Sequence, residues 1–176
     1  MNLASKQVKL REFKPGDTPS VHAYASDEQA TRYLIWGPNR WHDSTQFISR
    51  AIDTAAISPR VNYELAIVEN ASGLVIGGGR LRLMASDTES AYLGYVLARS
   101  YWGRGLGFEA ATLLVQLSAQ LHLHFVSATC DPNNIASQRI LEKLGMQYIE
   151  YRSHDVYVRG QWRDSLLFTR EIPPLA

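Results

Sequence analysis

Hydrophobic and polar positions alternate through residues 7–13, Gln7-Val-Lys-Leu-Arg-Glu-Phe13, and predict a first strand. Pro15-Gly-Asp-Thr-Pro19 turns the chain, with Asp17 or Thr18 placed to cap a short helix that carries Pro19 in its first turn. A second helical piece is expected over residues 27–34, ending at Ile35-Trp-Gly-Pro-Asn39. Phe47, Ile48, Ala51, Ile52, Ala55 and Ala56 then fall on one face at helical spacing, and Pro59 stops that helix. Residues 63–69 read as a strand, Asn70-Ala-Ser-Gly73 as a turn, and residues 74–84 as its antiparallel neighbour. Gly77, Gly78 and Gly79 inside that second strand predict a bulge or a close backbone approach.

The second half begins with an apolar run, Ala91-Tyr-Leu-Gly-Tyr-Val-Leu97, followed by a glycine-rich turn and a helical pattern from residue 109 to about residue 121. Residues 124–129 predict a short buried strand and residues 131–134 a loop opening a helix, which continues over 137–144 and ends at Gly145. Residues 146–152 and 162–170 predict two strands joined around Arg159-Gly160, and Pro173-Pro174 ends the order. With no repeat or linker, residues 1–176 read as one α/β domain, a single mixed sheet with helices on its faces.

Composition narrows the partners. A formal charge of +1, with no basic block, gives no electrostatic reason to expect nucleic acid or an anionic membrane. No apolar run approaches the roughly 18 residues of a membrane span, and the N-terminus lacks a signal-peptide core. The single cysteine, Cys130, excludes an intramolecular disulfide, and the expected location is cytoplasmic. His122 and His124 lack companion ligands, so no metal site is expected.

Candidate chemistry concentrates in Ser100-Tyr-Trp-Gly-Arg-Gly-Leu-Gly-Phe-Glu-Ala-Ala111, where a strand runs into a turn that opens a helix. The first turn of a helix leaves N–H groups unpaired and carries the positive end of the helix dipole, so it suits a phosphate or pyrophosphate. Arg104 adds a cation. No Walker string occurs. The spacing here is Gly-x-Gly-x-Gly rather than the dinucleotide Gly-x-Gly-x-x-Gly, and no carboxylate follows about 20 residues on.

Asp131-Pro-Asn-Asn-Ile-Ala-Ser-Gln-Arg-Ile-Leu-Glu-Lys-Leu-Gly-Met146 resembles the second half of the motif region of the GNAT N-acetyltransferase superfamily. Tyr101-Trp-Gly-Arg-Gly-Leu-Gly-Phe-Glu-Ala110 resembles that family's acetyl-CoA pyrophosphate loop. Arg159-Gly-Gln-Trp-Arg-Asp-Ser165 and Leu10-Arg-Glu-Phe-Lys-Pro-Gly-Asp17 are similar to the RimJ/RimL-like branch, the ribosomal-protein N-terminal acetyltransferases. The resemblance implies a mostly antiparallel central sheet, splayed at the cofactor site, with helices on both faces. It also implies acetyl-CoA as co-substrate, a primary amine as acceptor and, by analogy, a homodimer.

Carried over by position, Trp102, Gly103, Arg104, Gly105, Leu106, Gly107 and Phe108 would hold the diphosphate. Val96 and Leu97 would bond the pantetheine amides as a false strand, Asn134 would bond the arm from the other side, and Arg139 and Lys143 would reach the adenosine phosphates. Ser137 matches the branch's proposed acid for the departing thiolate, while Leu141 stands where many members place a tyrosine. Tyr92 replaces the branch's glutamate in Ala91-Tyr-Leu-Gly-Tyr95, leaving Glu64, Glu28, Glu89 and His154 as candidate bases. Trp36 and Trp41 lie where the family builds its acceptor groove. The leading acceptor is a protein N-terminal α-amine. An antibiotic, a polyamine or an amino acid is the small-molecule alternative, and a non-catalytic acetyl-CoA sensor is the alternative outside enzymes.

Overall fold

The computed structural model describes residues 3–84 and 89–173; Pro174 of the sequence reading lies outside them. Its strands are β1 (Leu3–Ala4), β2 (Val8–Glu12), β3 (Asn62–Glu69), β4 (Val75–Leu83), β5 (Ser90–Leu97), β6 (Phe125–Cys130), β7 (Gln147–Val158) and β8 (Gln161–Glu171). Its helices are α1 (Thr18–Ala25), α2 (Glu28–Thr31), α3 (Trp41–Ala55), α4 (Leu106–Gln120) and α5 (Ile135–Lys143). The strands form one sheet in the order β1-β2-β3-β4-β5-β6-β8-β7, antiparallel except where β5 meets β6.

Strand alternation divides the apolar residues between two faces of the sheet. Leu65 and Ile67 of β3 and Leu93 and Leu97 of β5 join Leu113, Leu114 and Leu117 of α4 in one buried layer. Ala66, Val68 and Val75 pack on the other face with Val21 and Tyr24 of α1 and Ile48 and Ala51 of α3. Each large side chain buried there contributes roughly 1.5–3 kcal/mol relative to exposure. Tyr92 and Tyr95, three apart on β5, accordingly serve opposite faces, and only Tyr95 joins the α4 layer.

Local differences from the expected elements have local causes. The second helical piece shrinks to the single turn of α2, whose N-cap Asp27 accepts N–H bonds from Gln29 and Ala30. Asp17 stands at the N-cap of α1, but its side chain makes no bond to that helix. Its carboxylate takes the Lys14 N–H at 2.8 Å and both arms of the Arg11 guanidinium at 2.7 and 2.9 Å. Helix α4 begins three residues ahead of the apolar pattern, because Gly105 at φ +77° lets the chain enter the helix directly from the turn. Helix α5 ends as its sequence foretold: Met146 N–H bonds Leu141 O and Gly145 N–H bonds Glu142 O, a Schellman closure around a left-handed Gly145.

The glycines of β4 answer the close-approach expectation. A Cβ on Gly77 would lie 2.1 Å from Val96 O, one on Gly78 3.0 Å from the Tyr24 hydroxyl, and one on Gly79 3.3 Å from Leu114 Cδ1. The register also shifts once between β3 and β4, at Ile67/Val68.

Candidate active site

The parallel ladder between β5 and β6 is short. It pairs Ser90 with Phe125, Ala91 with Val126 and Tyr92 with Ser127, and then stops. β5 runs on to Leu97 beside β4, while β6 runs on to Cys130 beside β8. The two strands therefore part, and among the described residues the upper half of β5 has one edge without a neighbouring strand.

The direction of the main chain decides which residues face that opening. Ala98 N–H bonds Ile76 O on β4, and Val96 O is the atom nearest a Cβ on Gly77 of β4. Alternation along β5 then turns the backbone groups of Tyr95 and Leu97 toward the opening. Of the two residues expected to hold pantetheine, Leu97 is thus brought to the opening. Val96 directs its backbone to β4 and packs its side chain in the α1/α3 layer. The Leu97 carbonyl accepts the Trp102 indole N–H at 3.0 Å, which ties the glycine-rich turn to the end of β5.

That turn is an open cradle. The N-cap of α4, Gly105, has no side chain to cap the first N–H groups, and nothing lies within 4 Å of a Cβ built on Gly103 or Gly105. Leu106 turns its side chain into the core and presents only main chain to the turn. Gly107 has a packing role: a Cβ there would meet Ile140 Cδ1 of α5 at 3.2 Å and Leu97 Cδ1 at 3.6 Å. Arg104 does not stand free beside the turn. It donates to Glu69 Oε1 at 2.6 Å and lies over the Tyr101 ring. A second bond to Glu69, from the Ser72 hydroxyl, is the main cause of that carboxyl's lowered pKa, with Arg104 adding to it against some burial. Lys143 reaches across from α5 to lie 4.3 Å over the Phe108 ring of α4, whereas Arg139 is exposed. An uncapped helix start beside an unpaired strand edge fits a diphosphate joined to an extended amide chain.

A cleft of about 1290 Å³ continues from the opening across the α1/α3 face of the sheet. Asn134 and Ser137 enter it from the start of α5, where the Asn134 side chain accepts the Ser137 N–H at 3.2 Å and leaves its own NH₂ free to donate. The Ser137 hydroxyl lies 3.3 Å from that of Tyr95. Burial pushes the Tyr95 phenol up to about 12, with the Ser137 bond acting the other way, so Tyr95 stays protonated. Cys130 lines the same cleft as a neutral thiol, raised to about 11 by burial first and by Asp131 second.

Among the candidate bases, Glu64 lines the cleft from β3. Burial raises its pKa, and Arg80, Asn62 and Arg50 offset only part of that shift. Glu28 is exposed at the start of α2, Glu89 forms an exposed pair with His124, and the His154 N–H serves Asp164. Tyr92 lines the cleft beside Arg152 of β7, whose guanidinium is held charged by Glu150 first and Tyr92 second. Trp36 is in the cleft wall. Trp41 is not brought there; it stacks edge-on against His22 at 5.1 Å.

The wall that carries Trp36 is fixed from the far end of the chain. Arg159, at the β7–β8 turn, donates to the carbonyls of Gly37 (2.9 Å), Trp36 (2.8 Å), Thr31 (3.0 Å) and Arg32 (3.3 Å). Arg163 adds a bond to Arg32 O at 2.6 Å. Tyr95, Arg80 and Arg159 were absent from the site expected from sequence. For Tyr95 the available signal was strand parity with Leu97.

Comparison with known proteins bears on the fold that carries these residues. The model of the acetyltransferase (GNAT) domain matches residues 7–147. The uncharacterized N-acetyltransferase YnaD of Bacillus subtilis is 26% identical over 171 residues, covering 96% of this chain and 95% of YnaD. The ribosomal protein uS5-alanine N-acetyltransferase of Escherichia coli is 33% identical over 85 residues, 48% of this chain and 44% of that one. Among solved structures, RimL, the ribosomal L7/L12 alpha-N-protein acetyltransferase in complex with coenzyme A, superposes with a TM-score of 0.85 at 17% identity over 98% of each chain.

Proposed function

Because the chain belongs to the GNAT acetyltransferase family, we propose that it moves an acetyl group from acetyl-CoA directly to a primary amine, and that the acceptor is the α-amine of a protein N-terminus. The observation that carries this reading is the opening between β5 and β6. A strand edge free to bond an extended chain, an uncapped helix start and the Ser137–Tyr95 hydroxyl pair all meet there. The α-amine acceptor draws support from the relatives named for alanine and ribosomal-protein N-acetylation.

Acetyl-CoA supplies the activated acyl group as a thioester. The protein's part is to bind, orient and move protons. The first turn of α4, from Gly105 on, holds the diphosphate, and Tyr95, Leu97 and the Asn134 amide bond the pantetheine arm. A main-chain N–H of Tyr95 or Leu97, facing the opening, stabilises negative charge on the carbonyl oxygen. Glu64, kept basic by burial, takes the proton of an ammonium group directly or through water. Ser137, oriented by the Tyr95 hydroxyl, gives its proton to the departing sulfur, and the second proton that the nitrogen sheds as the tetrahedral intermediate collapses restores Ser137.

The test is to incubate purified protein with acetyl-CoA and an amine panel and follow free CoA thiol. Release with N-terminal peptides supports the proposal. Release only with polyamines or aminoglycosides moves the acceptor to small molecules. Tight acetyl-CoA binding without release on any amine supports a sensor.

A further inference from the structure

The acceptor half of the cleft carries more positive charge than the mechanism uses. Arg80 and Arg82 project from β4 on the same face, two residues and so about 6.5 Å apart along the strand. Arg80 is the register partner of Glu64 on β3 and of Gly94 on β5; Arg82 is the register partner of Asn62 and Tyr92. Arg50 reaches the same cleft from α3. Space lies beside them, because a Cβ built on Gly94 would meet nothing within 4 Å.

The other charged groups of the cleft are already engaged. Asp131 pairs with Arg163 and accepts from Asn133, Asp164 accepts from Tyr151 and the His154 N–H, and Asp43 accepts the Arg40 N–H. Elsewhere Arg11, Arg60, Arg99, Arg104 and Arg152 each hold a carboxylate. Among the described residues, the guanidinium groups of Arg50, Arg80 and Arg82 make no ion pair or hydrogen bond, and the Glu64 carboxylate accepts from Asn62 rather than from any of them. Three guanidinium groups thus line the cleft with one carboxylate, Glu64, that the mechanism reserves for an ammonium; of the three, Arg80 and Arg50 act on its charge. A guanidinium fork matches a carboxylate in two parallel N–H···O bonds.

Resting on the acetyl-transfer reading, we infer that Arg80 and Arg82, assisted by Arg50, seat a carboxylate of the acceptor, so that the preferred substrate is an amine bearing a carboxylate within a few bonds or residues of its nitrogen. The ammonium then faces Glu64 while its companion anion faces β4. Two sources carry this chemistry: the α-carboxylate of a free amino acid, and an acidic side chain near a protein N-terminus.

Matched acceptors distinguish them. Alanine is compared with alaninamide, and the peptide amide Ala-Glu-Ala-Ala with Ala-Gln-Ala-Ala, by kcat/KM in the thiol-release assay. Replacing the carboxylate by an amide in the responsive pair is expected to lower kcat/KM about 10- to 100-fold, the worth of a charge-assisted bond, mainly through KM. Arg80→Gln and Arg82→Gln should each abolish most of that difference while leaving CoA affinity unchanged, with a cooperative urea transition showing that each variant is folded. A response in the first pair identifies the amino acid, in the second the acidic N-terminus. Calorimetric binding of the corresponding N-acetylated products, with CoA present, repeats the comparison without turnover. Carboxylate-dependent product binding that the arginine variants lose upholds the seat even where no transfer occurs. Turnover or product binding equal for acid and amide in both pairs, or equal discrimination in wild type and both arginine variants, overturns it and leaves acetyl transfer standing.

Discussion

Gly77→Ala tests the link between the sheet and the candidate cofactor site. The new Cβ would lie 2.1 Å from Val96 O and 3.1 Å from Leu97 Cα, whereas real Cβ contacts do not fall below 3.0 Å, so β5 must retreat by about 0.9 Å. β4 cannot give the distance, since it is paired with β3 on its other edge. Among the described residues no strand pairs with β5 beyond Tyr92 on that edge, so β5 moves into the opening that Tyr95 and Leu97 border. Overpacking of this kind costs about 1–3 kcal/mol of stability. A misplacement near 1 Å at groups that position a reacting centre costs about 10²-fold in rate. The assays are urea denaturation, calorimetric CoA binding, and kcat/KM with the best acceptor of the panel. Gly79→Ala is the control, because its nearest contact, Leu114 Cδ1 at 3.3 Å, asks a side chain to give by a few tenths of an ångström rather than a strand to move. It should lose little stability and keep its CoA affinity. If Gly77→Ala matched Gly79→Ala in urea midpoint, CoA affinity and kcat/KM, the claim that β4 holds β5 in place for the cofactor would be refuted.

Ser137→Ala should lower kcat by about 10²- to 10⁴-fold with CoA affinity unchanged, as for loss of a general acid. Tyr95→Phe, which removes only the partner hydroxyl, should cost about tenfold or less; an equal loss in both variants would assign the proton to the tyrosine. The Glu64 carboxyl is raised by burial, so kcat/KM should fall as pH drops through its elevated pKa. Glu64→Gln should lower kcat/KM and remove that acid limb. Because the folded state disfavours the ionised form of Glu64, the same variant should melt at a higher temperature near neutral pH; a lower Tm would contradict the burial argument. Asp17→Asn breaks the Arg11 fork and should cost about 1–3 kcal/mol. Burial opposes ionisation of Asp17, but the Arg11 bonds, the Lys14 N–H and the Arg11 charge outweigh it and lower the pKa. The stability is therefore present above the unfolded carboxyl pKa of about 3.9 and lost as pH falls through the lower folded value, so wild type and variant should converge in strong acid.

Local physics made some of this legible before any coordinates. The ends of α5 were readable because Asn134, Ser137 and Gly145 act within a single turn of their own positions. The glycine-rich turn was readable because only glycine relieves left-handed backbone at Gly103 and Gly105. The remainder depends on pairing register. That Val96 faces β4 and Tyr95 faces the opening follows from how β4 lies on β5, and neither strand's pattern specifies it. The Tyr95–Ser137 contact joins residues 42 apart, and the Arg104–Glu69 bond residues 35 apart, so each waits on the closed sheet. Where Trp41 points is set by the helix it starts rather than by its place in the connection after Trp36: α3 turns it onto His22.

The hook of Arg159 on the Trp36 wall has an evolutionary and engineering corollary. All four of its acceptors are main-chain oxygens, of Thr31, Arg32, Trp36 and Gly37. The anchor therefore does not read the identity of Arg32 or Trp36. Side chains along this wall can be exchanged while the backbone they hang from stays moored to the β7–β8 turn. Libraries that randomise Tyr33 and Trp36, which line the cleft, and leave Arg159 intact should yield folded proteins. Libraries that also randomise Arg159 should lose the wall itself.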